Sequence, residues 1–157
     1  MSLFTFVLFL HVAVAIVGFG VSFGFPILYA LAAKDPQHMN FALRVGDAVY
    51  VRLMRPLFVV MPFLGLWLIY LADWDLWGSP WLLISIAIYI VAFFYGALVQ
   101  EPTGRRMIEL TKGQPTPEEG QELQRLAKRS QLGGTFLGLA VIAIALLMVW
   151  KPGAAHV

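Results

Sequence analysis

The sequence predicts an all-α protein: an integral membrane, antiparallel four-helix bundle. Three observations carry that expectation. The first is composition. The 157 residues are 60% hydrophobic and 13% charged, with a mean hydropathy of +0.79. A soluble domain is about 45–50% apolar and about 25% charged, so a soluble enzyme domain is excluded, as is a disordered chain. The second is the placement of uncharged residues. Ser2–Ala33, Pro56–Ala72, Leu76–Gln100 and Ser130–Trp150 contain no Asp, Glu, Lys or Arg, and about 20 apolar residues in a helix cross a bilayer core of about 30 Å. The third is charge asymmetry. Ten of the 11 Lys and Arg residues lie in the connections between spans one and two and between spans three and four; Lys151 alone lies on the other side. A β-barrel needs short segments of alternating polarity, whereas these runs are apolar all round.

The spans fall at about 4–32, 50–72, 80–100 and 132–150, in one domain over 1–157. Span two extends its apolar run through Val49, Tyr50 and Val51, because Arg52 and Arg55 snorkel to the headgroups. The positive-inside rule places both long connections in the cytoplasm and both termini outside. Trp74, Trp77, Trp81 and Trp150 mark the outer boundary, where amphipathic rings settle. The basic cytoplasmic face explains the pI near 9.1 as attraction to anionic lipid, with no need of nucleic acid. The first span is too long for a cleaved signal, and no basic residue precedes it. The absence of cysteine excludes disulfides, thiol chemistry and cysteine metal sites.

Local signals extend the helices past the membrane. Asp35-Pro36 reads as an N-cap with proline at the first helical position, which starts helix two near residue 36. Pro62 should kink it, with a neighbouring helix absorbing the lost hydrogen bond. Helix three starts near Pro80 and runs past Pro102 towards Gly113. Thr116-Pro117-Glu118-Glu119 is a capping-box pattern that starts helix four at 117. Helices two to four thus extend on the cytoplasmic side. There Glu122 with Arg125 and Arg129 forms a charged stripe along helix four.

Three features are candidates for function. His11 is the only histidine inside a span, and an imidazole in hydrocarbon needs a partner. Tyr70, Trp67, Ser85, Tyr89 and Met148 share its level. It is either a histidine hydrogen-bonded to a tyrosine or serine, or a haem-iron ligand with the Met148 thioether as a possible second ligand. His38 and His156 lie in loops and are poor candidates. Arg52 and Arg55, three residues apart, share a face at the inner boundary, level with Arg105, Arg106 and Glu101. They either anchor headgroups, with a Glu101 ion pair, or bind an anionic group such as a propionate, a phosphate or a quinone headgroup. His11 lies near the outer side and these arginines near the inner side, so one haem reaches both only if helix one tilts strongly or breaks at Pro26. Gly20-Val-Ser-Phe-Gly24 and Gly134-Thr-Phe-Leu-Gly138 have the small-xxx-small spacing that lets helices approach closely. They pack spans one and four together, or they serve a homo-oligomer or a larger membrane complex.

The landmarks resemble two families of small four-span membrane proteins: the HemJ-like protoporphyrinogen oxidases and the DUF2269-type family. The resemblance rests on Leu8-Phe9-Leu10-His11 with Pro26 fifteen residues on, on Val51-Arg52-Leu53-Met54-Arg55-Pro56, on Phe63 to Leu68 with Trp77 and Trp81-Leu82, and on Val149-Trp150-Lys151-Pro152. It covers nearly the whole chain in short apolar pieces. This chain has Ser85 where HemJ-like proteins carry a lysine and Ile27 where they carry an arginine. Apolar residues around 92–94 stand where they carry a histidine, and Ser130-Gln131 where they carry an Asn-Glu pair. The resemblance implies a bacterial cytoplasmic membrane, haem b as cofactor, oxidoreductase chemistry, and His11, Arg52 and Arg55 as the positions that transfer. Three functions follow as expectations: a haem b-binding or quinone-interacting redox protein, a non-catalytic accessory subunit of a larger membrane complex, and a small transporter.

Overall fold

Prolines decide where the helices of this chain depart from regular α geometry. The computed structural model describes residues 2–113 and 115–152. Among them it contains helix and connecting turns and no strand. Four continuous helices are long and apolar enough to cross a membrane: α1 Leu3–Ala32, α2 Pro36–Leu71, α3 Pro80–Leu110 and α4 Pro117–Trp150. The expected four-helix architecture is therefore observed, and α2 to α4 extend well past their charge-free stretches.

Each internal proline removes one N–H from the i→i−4 ladder, and its ring crowds the carbonyl four residues back. In α1, a 3-10 turn over Val21–Gly24 precedes Pro26, and the Phe25 N–H bonds the Ser22 carbonyl. That is the carbonyl Pro26 leaves without a partner. In α2, a π-turn over Tyr50–Met54 precedes Pro56, and the Arg55 N–H reaches back to Tyr50. In α3, a π-turn over Gly96–Gln100 precedes Pro102, with the Glu101 N–H on Gly96. The wider turn makes room for the ring in both. Pro62 is handled differently. The Phe58 carbonyl that it abandons accepts the Tyr89 hydroxyl of α3. In lipid, where no water can replace a lost partner, such a cross-helix bond is the available remedy.

The ends are fixed by side chains. Ser2 caps α1, accepting from the Thr5 N–H at 3.2 Å. Thr116 and Glu119 form the expected capping box at the start of α4. Asp35 does not cap α2. Its carboxylate accepts from Gln37 and from His38 Nδ1 at 3.1 and 2.8 Å, and the helix opens with a 3-10 turn over Pro36–His38. Helix α3 stops at Leu110, short of Gly113, where Asn40 of α2 donates to the Ile108 carbonyl and the Thr111 hydroxyl, both at 2.9 Å. Glu122 pairs across to Arg106 of α3 at 2.8 Å. Its principal partner is therefore on a neighbouring helix rather than along α4.

The helices pack in chain order. Most of the contact is between α1 and α2, between α3 and α4, and between the basic ends of α2 and α3. Val7, Leu64 and Leu68 form a buried cluster between α1 and α2, flanked by Phe4, Leu10, Val14 and Leu71. At the same end the Lys151 ammonium lies 5.0 and 5.8 Å from the ring centres of Trp74 and Trp81. Trp81 is buried to 2% exposure and Trp77 is exposed, so only some of these tryptophans face the surroundings.

Candidate functional site

His11 sits on the face of α1 that meets α2. Its Nδ1 is buried and has no hydrogen-bond partner among the described residues. A Cβ built on Gly65 would stand 3.5 Å from the imidazole Cε1, an ordinary van der Waals contact, so the ring lies against α2 at residue 65. None of the hydroxyls expected to satisfy it bonds this nitrogen. Ser85 donates to the Trp81 carbonyl at 2.7 Å, Tyr89 donates to the Phe58 carbonyl, and Tyr70 is 82% exposed. An imidazole without a partner in apolar surroundings is costly.

The arginines lie at another level. On α1, Gly18 faces Phe58 and Leu57 of α2, while His11, seven residues earlier, faces Gly65, seven residues later. The two helices are therefore in antiparallel register. Arg55 is ten residues below Gly65, about 15 Å along the axis at 1.5 Å per residue. Helix α4, which carries Met148, packs chiefly on α3. The residues proposed for one haem thus divide between levels and between helix pairs. The free imidazole nitrogen fits an axial ligand. Arg55 lies about 15 Å further along the bundle, and Met148 lies on α4, which packs chiefly on α3. Among the described residues, no three His, Asp or Glu side chains cluster as a metal-binding group.

At the basic boundary the two π-turns bring charge together. Glu101 is 14% exposed and takes two guanidiniums on the same Oε1: Arg105 at 2.6 Å and Arg55 at 3.9 Å. The Arg55 and Arg105 side chains are 55% and 58% exposed. Tyr50 stands among these three groups. Arg52 is exposed and has no ion pair among the described residues. A π-turn rather than an α-turn separates it from Arg55, so the two do not share a face as regular helix spacing implies. Further out, Arg106 donates two hydrogen bonds to Glu122, at 2.8 and 3.0 Å. They hold the Glu122 carboxyl below its ordinary range.

The small residues act differently from their motifs. A Cβ on Gly20, Gly24 or Gly134 would meet nothing within 4 Å, and one on Gly138 would meet Phe23 at 3.8 Å. The close approach in α4 is at Gly133, where a Cβ would lie 2.5 Å from Gln100 Oε1 and 2.6 Å from the Tyr95 hydroxyl. Gln100 also donates to the Ser130 carbonyl and hydroxyl at 2.9 and 3.2 Å. Sequence reasoning missed this α3–α4 junction. The signal available was Gln100, an amide at the end of a charge-free run.

The family described as predicted integral membrane protein (DUF2269) matches residues 5–152, and the chain belongs to it. No curated protein matches, and no solved structure does.

Proposed function

We propose that this member of the predicted integral membrane protein family DUF2269 is a membrane-embedded redox protein that binds haem b through His11. The supporting observation is a buried imidazole nitrogen with no partner among the described residues, set against Gly65 of α2. Haem iron takes such a nitrogen as an axial ligand and supplies one-electron chemistry. The chain's own contribution is to hold the imidazole between α1 and α2 in a dry, apolar place. With ten of 11 basic residues at one end, we read that end as cytoplasmic in a bacterial inner membrane and both termini as outside. The test is the absorbance of protein purified in detergent from haem-replete cells. A Soret band that His11→Ala abolishes and Met148→Leu leaves in place is expected. Absence of the band, or its survival in His11→Ala, overturns the assignment.

A second reading is favoured by the open glycines. Gly20 and Gly24 on α1 and Gly134 on α4 present bare backbone that no described residue covers. In lipid, helices associate through such surfaces because close backbone approach supplies the packing. This reading makes the chain an accessory subunit, or a homo-oligomer, joined through Gly20, Gly24, Gly134 and Gly138. Its test is particle size in detergent. Gly20→Leu and Gly134→Leu should shrink the assembly while the helical signal stays, and an unchanged size in both variants refutes it.

A further inference from the structure

We propose that Arg55 and Arg105 form a binding site for a phosphate group at the basic boundary, and that Glu101 competes with the phosphate for both guanidiniums. The inference does not rest on haem at His11, which lies about 15 Å away along the bundle.

Depth is the first argument. The stretch Arg55–Leu71 has 17 residues, about 26 Å of helix, against a hydrocarbon core of about 30 Å. With Trp74 and Trp77 beyond its far end, Arg55 stands where the hydrocarbon gives way to headgroup phosphates. Arg105 is brought to the same place through their common carboxylate oxygen.

Charge is the second argument. Two guanidiniums meet one carboxylate, so the cluster keeps an excess of positive charge. One carboxylate oxygen cannot use all the donors of two guanidiniums, each of which offers five N–H groups in a fork matched to phosphate oxygens. More than half of the Arg55 and Arg105 side chains is accessible. The π-turns are the third argument. Such turns occur frequently at functional sites, and here two of them end on the ion pair: Arg55-Pro56 follows one and Glu101-Pro102 the other.

The phosphate can belong to an anionic lipid headgroup or be free in solution, and one experiment separates the two. Purified full-length protein is titrated with phosphatidylglycerol or phosphatidylcholine, and bound lipid is counted by native mass spectrometry, with and without inorganic phosphate. Phosphatidylglycerol should be preferred. Arg55→Gln and Arg105→Gln should each lower that preference about fivefold, the equivalent of about 1 kcal/mol per basic residue near an anionic surface. Glu101→Gln should raise it, which simple anchoring by surface arginines does not predict. Displacement by millimolar inorganic phosphate assigns the site to the free anion, and persistence assigns it to lipid. No preference in the parent protein overturns the proposal. Arg52 has no ion pair with the cluster, so Arg52→Gln should leave the preference unchanged, and a loss there equal to that of Arg55→Gln overturns the site as drawn.

Discussion

Tyr89→Phe removes one hydroxyl and should expose how α2 tolerates a proline in mid-membrane. The Tyr89 hydroxyl bonds the Phe58 carbonyl, which has no N–H four residues on because that residue is Pro62. Removing the donor leaves a carbonyl unsatisfied in a part-buried setting. Unpaired buried acceptors cost about 1–3 kcal/mol, whereas interhelical hydrogen bonds in membranes average about 0.6 and reach about 1.7 kcal/mol. Because the acceptor has no alternative in its own helix, the expected loss is near the top of the second range, about 1.5 kcal/mol. Pro62→Ala supplies the missing N–H, so the same Tyr89→Phe change made in that background should cost less than about 0.5 kcal/mol. The assay is reversible unfolding in mixed micelles followed by circular dichroism, run on the two single variants and the double variant. A double-mutant cycle with no coupling would falsify the account, since the two changes act on one carbonyl and cannot be independent.

The same measurement checks other features. Gly133→Ala should cost about 1–3 kcal/mol by overpacking, because its Cβ would meet Gln100 and Tyr95. The adjacent Gly134→Ala meets nothing and should be neutral or stabilising by up to about 1 kcal/mol through helix propensity; equal effects at the two positions would refute the packing assigned to them. Gly46→Ala places a methyl on the Tyr29 hydroxyl and should loosen the basic ends of α1 and α2, read as faster amide exchange there. The Glu122 carboxyl is held low by Arg106, so the contribution of this pair is present above the ordinary value of 4.5 and is lost as pH falls through the lowered one. Acid should therefore weaken the α3–α4 tie, and Glu122→Gln should flatten that part of the stability–pH curve. If the variant keeps the same acid slope as the parent, the pair is not its source.

Patterns that repeat along the chain were legible; pairings across the bundle were not. Charge-free runs set the four helices, and the capping box at Thr116 and Glu119 was readable because both partners lie within one turn. Pro62 announced a missing N–H and the need for a neighbour, but no local rule says that Tyr89, 27 residues on, supplies the hydroxyl. Arg55-Pro56 and Glu101-Pro102 were visible as charged residues before prolines. Their pairing depends on α2 and α3 running antiparallel at one depth. Small-xxx-small spacing points to Gly134 and Gly138, whereas the close approach is at Gly133. The motif records spacing along a helix, whereas the packing face follows from where Tyr95 and Gln100 project at the two ends of a π-turn.

The separation of His11 from the arginine cluster makes their functions separable by experiment. Residues more than about 7–10 Å apart with no common partner contribute independently, and about 15 Å of α2 lies between Gly65 and Arg55. Arg55→Gln should therefore leave a His11-dependent Soret band at its position and intensity, and His11→Ala should leave phosphatidylglycerol preference unchanged. If Arg55→Gln abolishes the band in a folded protein, a bound group spans both levels, and α1 must be tilted or broken at Pro26 in that state. The 3-10 turn over Val21–Gly24 is where such a bend would arise, because the Ser22 carbonyl already has only the short-range partner Phe25. The register of Gly18 on Phe58 would change with it. Exchange protection of Gly18 with and without Arg55→Gln then distinguishes two independent sites from one extended site.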